Sequence, residues 1–440
     1  MSLAAHRASL LHFVADPQAA GEEALVYHRD GLLLVEDGRV LGAGPAAALL
    51  PTLPPDTAVR EHPEALLCPG FIDCHVHYPQ LDIVGAHGEQ LLDWLEKYVF
   101  PAEARFADRA HADAVAARFL DQLLCHGTTT ALVFGTVHPQ SVDAFFSAAA
   151  ARGLRMLAGK VMMDRNAPDY LRDSAESSYR DSRRLIERWH GRDRLRYAVT
   201  PRFAPTSSPQ QLAAAGRLLR EYPGVYLHTH MSENVNEVAW VESLFPHLDH
   251  YLHSYDSAGL LGRRSVFAHC IHLSEAEWQR LAATESSIAF CPSSNLFLGS
   301  GLFPLRRAER AGIHVGLGTD IGAGTSLSLL ATMGEAYKVQ QLQGHSLSPG
   351  KSFYLATLGA ARALDLEAEL GNFLPGKEAD FLVLDLAATP LLQQRIAACG
   401  SVLDLLFVLS TLGDDRTVRE TWIMGECRYR RGCGTAGDRG

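Results

Sequence analysis

An α/β fold is predicted, a (β/α)8 barrel carrying a small β-sandwich domain built from both chain ends. Three observations point to it. Between residues 69 and 365, eight short apolar runs alternate with longer helical stretches. The flanking segments, 1–68 and 366–440, carry short strand patterns that suit one shared domain. Titratable residues recur at the C-terminal ends of the apolar runs, the end of a barrel that holds its chemistry.

The first segment opens the small domain. GLLLVEDGRVLGAG sets two apolar runs around Asp37-Gly38, a dipeptide suited to a two-residue hairpin turn. The eight runs of the middle are GFIDCHVH, GTTTALVF, RMLAGKVMMD, LRYAVTPRFAP, VYLHTHMSE, SVFAHCIHL, SSIAFCPSS and HVGLGTD. Helical segments between them include 208–222 and 274–285, where Ser208 and Ser274 stand at N-cap positions. An open doubly wound sheet is the main competing architecture, but no Gly-rich phosphate loop follows the first run. The chain then returns to strand patterns in ADFLVLDL (379–386) and in 416–430, which contains a turn-like Gly425.

With 440 residues the chain exceeds a typical single core, which favours one large and one small domain. It is 47% apolar and 20% charged, an ordinary globular balance. A net charge of -10 argues against nucleic acid or an anionic membrane as main partner. No apolar run is long enough to span a bilayer, and the first residues lack a signal-peptide layout. The eight cysteines, Cys433 among them, form no regular framework, so a reducing cytoplasm is the expected location.

The chemistry concentrates in a few stretches. In PGFIDCHVHYPQ (69–80), His75 and His77 are two apart and so share one face of a strand. Paired neutral imidazoles at a strand end suit a shared metal ion; the plain alternative is an exposed turn. Arg202 ends the fourth run. His228, His230 and Glu233 end the fifth, His269 and His272 the sixth, and Asp320 the eighth. His75, His77, one histidine of the fifth run and Asp320 would give three nitrogens and one carboxylate oxygen, a donor set suited to zinc. Calcium or magnesium would need more oxygens, and no CxxC pair offers thiolates. Glu233 reads either as a proton carrier beside a substrate or as an acid at a helix start. Lys160 reads as structural.

These stretches resemble the amidohydrolase superfamily over nearly the whole chain. The motifs are PGFIDCHVHYPQ, TPRFAPT, HTHMSENVNEV, AHCIHLS, FCPSSNLFLGSG and GLGTDIGAGTSLS, with LGNFLPGKEADFLVLD resembling the return to the small β-domain. HYPQ, PRF and HMSEN narrow the resemblance to the branch that deaminates guanine to xanthine and ammonia, in purine catabolism. It implies one zinc ion per subunit on His75, His77, His230 and Asp320. It implies Glu233 as proton shuttle, His269 as partner of the attacking water and Asp320 as acceptor of that water's proton. It implies Gln80, Arg202 and Phe203 as the substrate contacts, with His77, His230, Glu233 and Asp320 also facing the substrate, and a homodimer as the assembly. Arg202 can only donate hydrogen bonds, so it suits the C6 oxygen of guanine and not the C6 amine of adenine. His228 is a candidate support for the ligands; the parts played by His272 and Trp94 stay open. Two other readings compete: a deaminase acting on a triazine, a pterin or another purine, and a non-catalytic assembly protein.

Overall fold

The structure is a computed structural model that describes residues 3–88 and 90–432. Each predicted apolar run contains a strand of one barrel. The strands are Phe71–His77, Thr128–Phe134, Arg155–Gly159, Arg196–Pro201, Tyr226–Met231, Ser265–His269, Ser287–Phe290 and Val315–Leu317. Parallel ladders join neighbours from first to last in chain order. The circle returns through two backbone hydrogen bonds beyond the last strand. The Asp320 N–H donates to the His75 carbonyl at 2.9 Å, and the His77 N–H donates to the Ile321 carbonyl at 2.8 Å. The barrel interior is filled by small and medium side chains, among them Ile72, Cys74, Leu132, Leu157, Val266 and Cys291. The helix Leu358–Ala363 packs Ala360 and Ala361 into the same cluster. The buried thiols pack there as small apolar groups, and the seven cysteines among the described residues are unpaired.

The helices start where hydrogen-bonding side chains allow. Ser208 accepts from the Gln211 N–H at 3.1 Å ahead of the helix Pro209–Glu221. Ser274 and Glu277 form a reciprocal capping pair ahead of Glu275–Ala283. Among the described residues no helix is long and apolar enough to cross a membrane.

Both chain ends build one seven-stranded mixed sheet. Its spatial order is Glu426–Arg430, Val418–Ile423, Phe381–Asp385, Val59–Pro69, Leu3–Phe13, Leu25–Glu36 and Arg39–Pro45. The Asp37-Gly38 hairpin forms as read, with both residues at positive φ (49° and 79°), the conformation a two-residue turn demands. Leu67, Phe381, Val383 and Trp422 cover one face of the sheet. Leu66, Leu382, Leu384 and Val418 join the large core that continues into the barrel helices. Gly70 makes the passage from sheet to barrel. A Cβ there would lie 2.1 Å from Thr129 Oγ1, so only glycine fits the close approach. Residues 433–440 of the expected small domain, with Cys433, lie outside the described residues.

Two histidines are buried in this sheet. His6 and His62 stack with centroids 5.4 Å apart and share a 3.1 Å hydrogen bond between His6 Nδ1 and His62 Nε2, with Phe381 and Trp422 edge-on to His6. Burial, then the His62 and Arg60 charges, pull the His6 ring down to about 3. His62 is lowered by burial, with Glu420 opposing and Arg60, Arg419 and Arg430 adding. The unfolded chain therefore takes up protons near pH 6.5 that the folded sheet refuses. This contribution to stability is complete above pH 6.5 and drains as pH falls toward 3. Acidification from pH 7.5 to 5 should cost about 2 kcal/mol through His6 alone. Thermal melts across that range should show a steeper fall for the wild type than for His6→Gln; equal slopes would refute the assignment.

Candidate active site

Strand ends at one rim of the barrel supply the site. His75 and His77 leave the first strand toward the same point, and the two closing hydrogen bonds bring Asp320 beside them. His75 Nε2 lies 3.2 Å from His77 Nε2 and 3.1 Å from Asp320 Oδ1. His77 Nε2 is also 3.2 Å from His230 Nε2 and 3.4 Å from Asp320 Oδ1. The remaining nitrogens show which lone pairs point inward. His230 Nδ1 donates to the Arg202 carbonyl at 2.8 Å, which leaves its Nε2 without a proton. His75 Nδ1 shares a 2.7 Å hydrogen bond with His228 Nε2. All three rings are held neutral. Burial lowers each, against the pull of Asp320; neighbouring imidazoles add to the lowering, and His77 falls to about 3.

Asp73, fully buried, ties the first strand to the segment bearing Asp320. It accepts from the His75 N–H and the Thr319 N–H, each at 3.1 Å, and from the Thr319 hydroxyl. Burial raises its carboxyl to about 6, against the lowering effect of these hydrogen bonds. His269 and Asp320 hold positive φ (73° and 51°), so the rim carries backbone strain where the polar groups converge.

Glu233 enters the same space. Its Oε1 accepts from the Ser300 hydroxyl at 3.0 Å, and its Oε2 lies 3.5 Å from His269 Nε2. Burial and the Asp320 charge push its carboxyl up to about 8, with Ser300 opposing. The helix-start reading belongs to a different residue. Glu237 accepts from the Glu233 and Asn234 N–H groups at 2.8 and 3.2 Å, which frees the Glu233 side chain for the cavity. His269 Nδ1 bonds Asn295 Oδ1 at 2.9 Å, while its Nε2 is buried and without a hydrogen-bond partner.

One cavity is lined by both kinds of residue: the polar His77, Gln80, Arg202, His230, Glu233, His269 and Asp320, and the apolar Leu91, Trp94, Leu95, Phe203, Leu298 and Ala323. Arg202 Nη1 donates to both oxygens of Glu103, at 3.0 and 2.8 Å.

Known proteins resemble this chain in sequence and in fold. The Amidohydrolase family profile matches residues 66–428. The chain is 57% identical over 408 residues to the guanine deaminase of Escherichia coli (strain K12), a match covering 93% of each chain. This chain belongs to the amidohydrolase family. Its structure is similar to that of the E. coli guanine deaminase, with a TM-score of 0.95 at 53% identity over 98% of this chain and 100% of that one. A guanine deaminase from C. acetobutylicum, solved with guanine in its active site, gives a TM-score of 0.88 at 28% identity over 97% of this chain and 100% of that one.

The donors of this amidohydrolase fit a metal ion. Nitrogens of three neutral imidazoles, that of His230 with its lone pair inward, face one another and a carboxylate at close distance, an arrangement that a bound cation stabilises and mutual hydrogen bonding cannot fully satisfy. Two sets of four share His75, His230 and Asp320. One adds His77; the other adds His269, with its four ligand atoms within 4.8 Å of one another. The other candidates, Lys160, His272 and Trp94, belong to neither set. Lys160 is paired with Asp173 and with the Val161 carbonyl. His272 Nε2 bonds the Ser300 carbonyl at 2.8 Å. Trp94 lines the cavity, its indole N–H buried and unpartnered.

Sequence reading missed Glu103, Asn295 and Ser300 as partners of the site. NLFLGSG (295–301) carried a family signal for two of them, whereas Glu103 stands in a helical stretch that reads as solvated. Asp73→Ala would leave two buried N–H groups and a hydroxyl unpaired, a loss of about 3 kcal/mol. Urea denaturation should show the unfolding free energy falling by that amount, read as a lower midpoint at an unchanged slope; an unaltered midpoint would mean that Asp73 does not hold the two segments together.

Proposed function

We propose that this protein catalyses the hydrolytic deamination of guanine to xanthine and ammonia, with one zinc ion per subunit on His75, His77, His230 and Asp320. The observation that carries the reading is the convergence of neutral imidazoles and a carboxylate in a cavity whose lining includes hydrogen-bond donors, in a chain 57% identical to a guanine deaminase. When bound, zinc would act as a Lewis acid and bring the pKa of water down toward about 7. The chain's own groups do the rest. Gln80 and Arg202 hold the purine by its C6-oxygen edge, and Phe203 packs against the ring. Asp320 accepts a proton from the attacking water, which His269 orients. Glu233, protonated near neutral pH because its carboxyl is raised, hands its proton to N3 as the water oxygen bonds to C2. The carbon becomes tetrahedral; Glu233, now ionised, takes the proton of the new C2 hydroxyl and passes it to the exocyclic amine, the C2–N bond breaks as the C2 carbonyl forms, ammonia leaves, and the proton held by Asp320 returns to Glu233.

The wider reading assigns residues 69–365 to the catalytic barrel and 1–68 with 366–440 to the small β-domain. It also places the enzyme in the cytoplasm, which the unpaired cysteines favour. The homodimer rests on the resemblance alone.

Purified protein incubated with guanine should release ammonia and xanthine in equal amounts, and a chelator should abolish both. Turnover of ammeline or adenine with guanine inert would defeat the substrate assignment. Glu233→Gln should retain bound zinc while turnover falls about 10³-fold; near-normal rates would remove Glu233 from proton transfer. His230→Ala should fold yet carry little zinc by elemental analysis, and full occupancy in that variant would exclude His230 as a ligand.

A further inference from the structure

Behind Gln80 and Arg202 lies Glu103, a carboxylate that the proposed reaction does not use. It is fully buried. A buried charge at this depth needs partners, and both of its side-chain partners are proposed substrate contacts. Arg202 Nη1 donates to both of its oxygens, and Gln80 Nε2 donates to Oε1 at 3.1 Å. The other end of the Gln80 amide is also committed, because its Oε1 accepts from the Gly322 N–H at 3.0 Å. Flipping that amide would set its oxygen against a carboxylate and its nitrogen against a backbone donor, so its orientation is fixed from both sides. The Phe100 ring, three residues before Glu103, lies 5.6 Å from the Arg202 guanidinium carbon.

What remains free on the two side chains is one kind of group. Gln80 keeps its second N–H, and Arg202 keeps the N–H groups that Glu103 does not take. A face of donors matches a ring carbonyl and opposes an amine placed at the same carbon. We propose that Glu103 is a positioning residue: it fixes Gln80 and Arg202 as a hydrogen-bond-donor face and thereby sets the preference for 6-oxopurines over 6-aminopurines. This rests on the guanine reading above.

The test compares guanine with 2,6-diaminopurine, which keeps the 2-amino leaving group and differs along the C6 edge, with an amine in place of the C6 oxygen and no proton on N1. In Glu103→Gln the ratio of kcat/KM for guanine to that for 2,6-diaminopurine should fall at least about tenfold, mainly through a higher KM for guanine. A merely structural role would lower both substrates alike. In an Arg202→Met background, adding Glu103→Gln should change the ratio little further, because the two residues act as one unit. If Glu103→Gln does not fold, Glu103→Asp, which keeps the charge but falls one methylene short of its partners, should narrow the ratio in the same sense. An active wild type whose ratio is unchanged in the folded variant overturns the role of Glu103. A wild type inert toward guanine overturns the proposed reaction instead.

Discussion

The return of the barrel from its last strand to its first is the constraint on which the site depends. Two backbone hydrogen bonds, Asp320 N–H to the His75 carbonyl and His77 N–H to the Ile321 carbonyl, set the segment carrying the carboxylate against the strand carrying the imidazoles. Strand alternation places His75 and His77 on one face whatever the fold, but only this return brings Asp320 Oδ1 within 3.1 to 3.4 Å of both. A shift of one residue in that register would turn Asp320 away from them. Asp73 reinforces the register by bonding both sides of the seam.

Burial then decides protonation. Imidazoles this deep would have to shed their hydration to carry charge, and several side by side would repel one another, so they stay neutral and present lone pairs. The same burial acts in the opposite sense on Glu233. A carboxylate beside Asp320 in an apolar surround is disfavoured, which keeps a proton on Glu233, as the proposed proton transfer requires. One low-dielectric cavity thus keeps the imidazoles neutral and the Glu233 carboxyl protonated, the states that the proposed reaction uses. Burial would raise Asp320 too, but the polar imidazoles gathered around its carboxylate hold it well below the usual carboxylate range.

Legibility in the sequence followed the range of the interaction. Features fixed by a few neighbouring residues could be read directly: the His75/His77 pair from the strand period, the Asp37-Gly38 turn from its dipeptide, and the Ser208 and Ser274 caps from position. The eight apolar runs gave the barrel because each strand is buried on both faces and reads as continuous hydrophobic sequence. Features that need two distant segments could not be read. The place of Val59–Pro69 between Leu3–Phe13 and Phe381–Asp385 is such a case, as is the bond from Ser300 to Glu233. Whether Glu233 caps its own helix was undecidable until Glu237 was seen to take that task.

Glu103 shows why a residue can be central in space and silent in sequence. Leu91, Trp94 and Leu95 follow a normal helical spacing onto the cavity wall. A regular helix would bring the next position of that stripe at residue 98 or 99, and Glu103 would drift off it. Residues Leu95–Val99 instead form a π turn, which inserts one extra residue and carries Phe100 and Glu103 back toward the side facing Arg202. Pro101 follows at once and cannot donate to the carbonyl one turn earlier, a reason for the wider turn to lie just before it. A periodicity reading assumes a constant pitch, and it fails where a local change of pitch re-aims the side chains that follow.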